Sequence, residues 1–260
     1  MEYKNILFGV EDNIATITLN RPKALNALNS EMISELGNAI SKCEADENIR
    51  VVILTGAGDR AFAAGADVTE FQGKSPKEII SFIERGHNVF RHLELMGKAT
   101  IAAINGYALG GGEELSMCCD VRFALDKAAF GQPEILLGFI PGWGGTQRLA
   151  RLVGTGRAKE MVMSGDRITA QRAFEMGLVN RVFPAEDLMV ETKKFAEKLA
   201  EMPLFAIKMA KYAINYGYDM ALDNARNLEI QCFSQCFSTE DSKEGLAAFL
   251  EKRKPKFTGK

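Results

Sequence analysis

The stretch Ala108-Leu109-Gly110-Gly111-Gly112-Glu113-Glu114 constrains this chain more than any other. The run before it, Thr100-Ile101-Ala102-Ala103-Ile104, is apolar and β-branched enough for a covered strand. Leu115, Met117, Cys118 and Cys119 after it read as the start of a buried helix. A strand that passes into a helix through three glycines offers unpaired backbone N–H groups and bare backbone that a ligand can approach. It also presents the positive end of a helix dipole. Such a junction suits an anionic oxygen. The carboxylates at its edge then need a reason, because burying an acid is costly.

With 260 residues, 47% of them hydrophobic, the chain can bury a sizeable core near the upper size of one domain. A formal net charge of -2 leaves no electrostatic footprint for nucleic acid or another polyanion. Residues 1–20 lack a basic n-region and an apolar h-region, and no apolar run reaches spanning length, so no membrane partner is expected. The five cysteines form no CxxC pair, and two histidines leave little for a Cys/His metal site. A reduced, cytoplasmic protein is expected.

Ala15, Ile17 and Leu19 alternate with Thr16, Thr18 and Asn20, as in a half-exposed strand, and Ile6 to Val10 is its natural partner. A loop, Arg21 to Leu28, leads to Asn29 or Ser30 as the cap of a helix with Met32, Leu36, Ile40 and Cys43 on one stripe. The strand Val51 to Leu54, two small-residue loops (Gly56 to Gly58 and Phe62 to Asp67) and a helix over 76–95 follow. Short strands are expected at Asp120–Ala124 and Ala129–Gly131, then a second glycine-rich region, Gly138 to Gly145. Beyond it the pattern is mainly helical, apart from Leu178–Phe183. The whole is an α/β chain: a mixed core over residues 1–200 and a C-terminal helical region over 201–260.

Adjacent helical positions lie about 100° apart, so Glu113 and Glu114 cannot point the same way. Glu114 shares the apolar side with Met117 and Cys118, which makes it the buried acid of the two, with its pKa raised. Both also simply suit a helix N-terminus, where each gains about 0.3–1 kcal/mol. Glu134 follows Gly131-Gln132-Pro133 and, taken alone, reads most often as a helix-start glutamate. Two carboxylates beside one glycine-lined oxyanion site would, however, form an acid/base pair. Gly56-Ala57-Gly58-Asp59-Arg60-Ala61 nearly matches a dinucleotide fingerprint, but no helical stripe follows it.

Five runs in order carry a resemblance: Asn20-Arg21-Pro22-Lys23-Ala24-Leu25-Asn26-Ala27-Leu28, Ala61-Phe62-Ala63-Ala64-Gly65-Ala66-Asp67, Asn105-Gly106-Tyr107-Ala108-Leu109-Gly110-Gly111-Gly112, Phe130-Gly131-Gln132-Pro133-Glu134 and Pro141-Gly142-Trp143-Gly144-Gly145-Thr146-Gln147-Arg148-Leu149. On them the chain is similar from end to end to the enoyl-CoA hydratase (crotonase) family. Its C-terminal runs, Cys236 to Asp241 and Phe249 to Lys254, look closest to bacterial short-chain members acting as 3-hydroxybutyryl-CoA dehydratases.

The resemblance implies a crotonase-like spiral of ββα turns with a C-terminal helical trimerisation region, giving a homotrimer or a dimer of trimers. It implies an acyl-CoA substrate, held at its thioester oxygen by the N–H groups of Ala66 and Gly111. Glu114 would help activate water for attack at C3, and Glu134 would exchange the proton at C2. Lys23, Ala24 and Leu25, with Ala64, Gly65, Asp67, Val68, Gly110, Gly142 and Trp143, would line the CoA and acyl channel. Phe249 would be a further substrate contact, and Lys252 a candidate partner for a CoA phosphate, on a neighbouring subunit. No cofactor is implied, since coenzyme A enters only as part of the substrate. A double-bond isomerase that shuttles one proton, or a non-catalytic acyl-CoA-binding protein, is the alternative. Both glutamates are present, which favours the hydratase. Three positions depart from the mammalian pattern: Glu113 where cysteine is common, Thr69 where a lysine can bind CoA, and Trp143 where a smaller residue often sits. The last would narrow the acyl pocket.

Overall fold

The computed structural model describes residues 3–260. It opens with a hairpin, β1 (Ile6–Glu11) and β2 (Ile14–Leu19), whose turn residues Asp12 and Asn13 take positive φ. Helix α1 (Ser30–Ala45) is capped by the Asn29 side chain, which accepts from the Met32 N–H at 2.9 Å. A β-β-α unit then repeats: β3 (Val51–Gly56), β4 (Ala61–Ala63) and α2 (Pro76–Leu95), followed by β5 (Ala99–Ile104), β6 (Tyr107–Leu109) and α3 (Gly111–Met117). A third turn comprises β7 (Val121–Leu125), β8 (Ala129–Gly131), a 3-10 turn over Pro133–Leu137 and α4 (Gly145–Val153). After α5 (Thr155–Ser164) come β9 (Ile168–Thr169), α6 (Ala170–Glu175), β10 (Arg181–Phe183) and four last helices. These are α7 (Ala185–Ala200), α8 (Leu204–Gly217), α9 (Leu222–Phe237) and α10 (Glu240–Glu251).

The longer strand of each unit joins a six-stranded sheet of order β1-β2-β3-β5-β7-β10, and the shorter one joins a second sheet, β4-β6-β8-β9. Within the first sheet all pairings except β1 with β2 are parallel. Both faces of β3 and β5 are therefore covered. Val52, Leu54 and Ile104 pack towards α1, α2 and the second sheet, whereas Val51, Ile53 and Ile101 pack with Leu188 and Ala196 of α7. That double burial is why both strands read as continuous apolar runs.

Two expectations needed correction. Ala61 to Ala63 is a strand, not part of a loop, because Gly56, Gly106 and Gly112 let neighbouring backbones approach it more closely than any Cβ would permit. The brief strand β9 also lies inside a region read as helical. The expected boundary at residue 200 falls in the turn between α7 and α8. The tail is tied back onto α10 by Asp241, whose carboxylate accepts from the N–H groups of Thr258 and Gly259 at 2.6 and 2.8 Å. Among the described residues no helix is long and apolar enough to cross a membrane.

Candidate active site

The second sheet ends at one point. There β6 passes into α3 through Gly110, whose backbone (φ 49°, ψ −123°) is open to glycine and strained for any side chain. Gly110 N–H donates to Gly131 O at 2.8 Å, which ties the start of α3 to the end of β8. Gly111 is thus the first residue of α3, with its N–H free of the helix ladder. Ala66 lies beside it: a Cβ on Gly111 would stand 3.3 Å from the Ala66 nitrogen. Leu28 N–H donates to Gly65 O and Asp67 N–H to Leu28 O, so the bridge between these segments uses the amides around Ala66. Among the described residues neither the Ala66 nor the Gly111 amide has an acceptor. Two adjacent unpaired donors face one cavity of about 660 Å³.

Glu114 and Glu134 line that same cavity. Glu114 is fully buried, and its Oε1 accepts from the amides of Trp143 and Gly145 at 2.7 and 2.6 Å, at the start of α4. Burial pushes its pKa up to about 7, against the pull of those two amides. Glu134, in the 3-10 turn, rests against Gly110 where no Cβ could fit. Burial raises its pKa as well, and among the described residues its Oε2 has no hydrogen-bond partner. Arg148 on α4 donates to both oxygens of Glu94 at 2.9 Å and to Trp143 O at 2.9 Å, which fixes the segment that grips Glu114.

Of the residues expected in the site, Ala64, Gly65, Ala66, Val68, Gly110, Gly111, Glu114, Glu134, Gly142 and Trp143 meet in this cavity. Lys23, Ala24 and Leu25 do not line it. They form a short turn stitched to its rim, where Ala64 N–H donates to Leu25 O at 3.0 Å. Asp67 is engaged elsewhere, bound to Arg21 at 2.9 Å and to the Thr69 hydroxyl at 2.6 Å. Phe249, on α10, and Lys252, just past its end, are exposed and lie outside the cavity of their own chain. The reading of Glu113 as the less buried acid was wrong: it is fully buried too, because α3 is enclosed by β4, β6 and α4. Sequence reasoning missed Lys74, Phe71, Ile80, Phe139 and Ile140, all lining residues. The signal was present in α2, where Ile79, Ile80 and Ile83 supply more apolar positions than one core stripe uses.

The sequence profile of the enoyl-CoA hydratase/isomerase family matches residues 9–260. The chain belongs to that family. It is 46% identical over 260 residues to a crotonyl-CoA hydratase of Syntrophomonas wolfei, covering all of both chains. It is 47% identical over 254 residues to a short-chain-enoyl-CoA hydratase of Clostridium acetobutylicum, covering 98% of this chain and 97% of that one. A crystal structure of enoyl-CoA hydratase from Bacillus anthracis superposes with a TM-score of 0.95 at 41% identity, over 99% of this chain and 100% of that one. The β-β-α repeat is therefore the enoyl-CoA hydratase/isomerase spiral, and the cavity at its centre lies where three successive turns bring their ends together.

Proposed function

We propose that this member of the family catalyses the reversible syn addition of water to short-chain trans-2-enoyl-CoA, giving 3-hydroxyacyl-CoA. One observation carries the reading: two buried carboxylates, Glu114 and Glu134, line the same cavity as two adjacent unpaired amides. The amides of Ala66 and Gly111 receive the thioester oxygen, which becomes enolate-like as water bonds to C3. Preorganised donors of this kind are worth about 10²–10³ in rate each. Glu114, with a pKa near neutrality, takes a proton from water as its oxygen attacks C3. Glu134 in its neutral form delivers a proton to C2, so that water's oxygen ends on C3 and one hydrogen on C2. The dehydration runs the same steps backwards. No metal or redox group takes part, and coenzyme A enters only with the substrate.

Trp143 favours short acyl chains. Its indole is fully buried between Phe82 and Phe90, with ring centroids 5.2 and 5.3 Å away, and closes the cavity behind Gly111. Lys74, which lines the cavity, would partner a CoA phosphate, a task Thr69 cannot perform because its hydroxyl is bound to Asp67. Phe233, Phe237, Phe249 and Leu250 leave a large apolar face exposed on α9 and α10. Further copies of the chain cover such a face in a trimer or dimer of trimers, which would bring Phe249 and Lys252 to a neighbour's cavity. The test is loss of the enoyl-thioester absorbance on adding crotonyl-CoA. No loss with wild-type protein would overturn the reading.

A further inference from the structure

Behind the catalytic pair lies a group that the proposed reaction does not use. Glu113 is fully buried, and among the described residues neither of its carboxylate oxygens closes a hydrogen bond. Gln132, just after β8, is also fully buried, and among the described residues both ends of its amide are unpartnered. Its Oε1 reaches to 2.6 Å of the point where a Cβ on Gly145 would stand, and Glu114 Oε1 comes to 3.0 Å of the same point. Gln132 thus lies beside the anchor of Glu114 and two residues before Glu134, and its side chain also bears on Glu113.

An isolated carboxylate in such a place is costly, whereas a neutral carboxyl and a primary amide match donor to acceptor in both directions. We propose that Glu113 is a positioning residue: as a neutral acid paired with the Gln132 amide, it holds the Gly131–Glu134 segment against α3 and keeps a second carboxylate charge out of the site. This deepens the hydratase reading and rests on it.

The charges around Glu113 agree. Burial pushes its pKa up to about 8. The Gly131 main-chain amide and the Gln132 side chain oppose that rise, and Glu134 and Glu114 add to it. From β4 come only Ala61, Phe62 and Ala63, and β6 carries the Tyr107 phenol but no charged side chain. The cation on α4, Arg148, is bound to Glu94 and acts on Glu114. Arg167, beside Gly131, holds its guanidinium over the Tyr107 ring, and among the described residues no cation forms an ion pair with Glu113; ionised, it would stand two residues from the Gly111 amide and oppose the negative charge gathering on the thioester oxygen.

The experiment compares wild type with Glu113→Gln, which keeps shape and amide pairing but cannot ionise. Glu113→Met serves if the first variant folds poorly. In the pH profile of kcat, each normalised to its own maximum, wild type at pH 9 should fall to about a tenth, since one unit above a pKa leaves about a tenth protonated. The variant keeps whatever limb Glu134, the proposed proton donor, sets, but should fall less than wild type above pH 8. The wild-type-minus-variant infrared spectrum, with carbon-13 glutamate, should show a protonated carboxyl band at pH 7 that disappears near pH 8. Coincident profiles, or a difference spectrum without that band, would overturn the proposal. The infrared signal needs no substrate, so protein inactive on crotonyl-CoA but showing the band would sink the hydratase reading alone.

Discussion

The indole of Trp143 lies against Gly111: a Cβ on that glycine would meet Cζ3 at 2.6 Å and the Ala66 nitrogen at 3.3 Å. One residue thus serves as a proposed oxyanion donor and as the seat of the ring that closes the acyl pocket. Gly111→Ala must displace the ring or the amide pair. We expect kcat to fall by about 10²–10³, the usual loss of one oxyanion donor. Steady-state kinetics on crotonyl-CoA check this, with circular dichroism to confirm the fold.

Trp143→Leu should open the closed end of the cavity. The ratio of kcat/KM for an eight-carbon enoyl-CoA to that for crotonyl-CoA should rise by about tenfold, the scale on which hydrophobic pockets discriminate chain length. An unchanged ratio would show that the limit on chain length lies elsewhere.

Glu114→Gln and Glu134→Gln should each lower kcat by about 10²–10⁴ with little change in KM, because a positioned acid or base acts in the transition state. Residues that act as a unit are not additive, so the double variant should be little worse than the poorer single one. Isotope exchange at C2 in deuterated water separates them. Glu134→Gln should abolish it, whereas a surviving exchange would reassign the proton donor.

Arg21 donates to Ala27 O at 2.6 Å and pairs with Asp67 at 2.9 Å, holding the Lys23–Leu25 turn at the rim. Leu25 and Asn26 both take positive φ there, a conformation costly for non-glycine residues unless their surroundings hold it. Arg21→Ala should raise KM for acyl-CoA several-fold while kcat changes less. A fall in kcat with unchanged KM would contradict a binding role for that turn.

How much of this was legible in the sequence differs from residue to residue. The glycines at 110–112 announced the junction because only backbone geometry explains three in a row before a buried helix. Glu114 was legible from its apolar face. Glu113 was not, since reasoning from a helical wheel assumes that one side meets solvent, and α3 has no such side. Phe139 and Ile140 lie in irregular backbone after the Glu134 turn, where no period exists to show which way a side chain faces. Lys74 likewise depends on how the loop before α2 folds over the cavity, a long-range matter that local pattern does not encode.

The two buried glutamates of α3 also set the pH dependence of stability. Their folded pKa values, about 8 for Glu113 and about 7 for Glu114, lie above the ordinary value of 4.5. Between these limits the folded state binds more protons than the unfolded one, so this contribution weakens as pH rises. It is complete below about pH 4.5, diminishes through Glu114's window up to about 7, and is gone above about 8. Urea unfolding of wild type, Glu113→Gln and Glu114→Gln at pH 5.5 and 8.5 checks this. Each variant should lose less stability than wild type over that interval, and Glu113→Gln should flatten the curve most between pH 7 and 8.5. Parallel curves for all three proteins would mean that these carboxyls are ionised in the folded state, with partners that supply the missing hydrogen bonds.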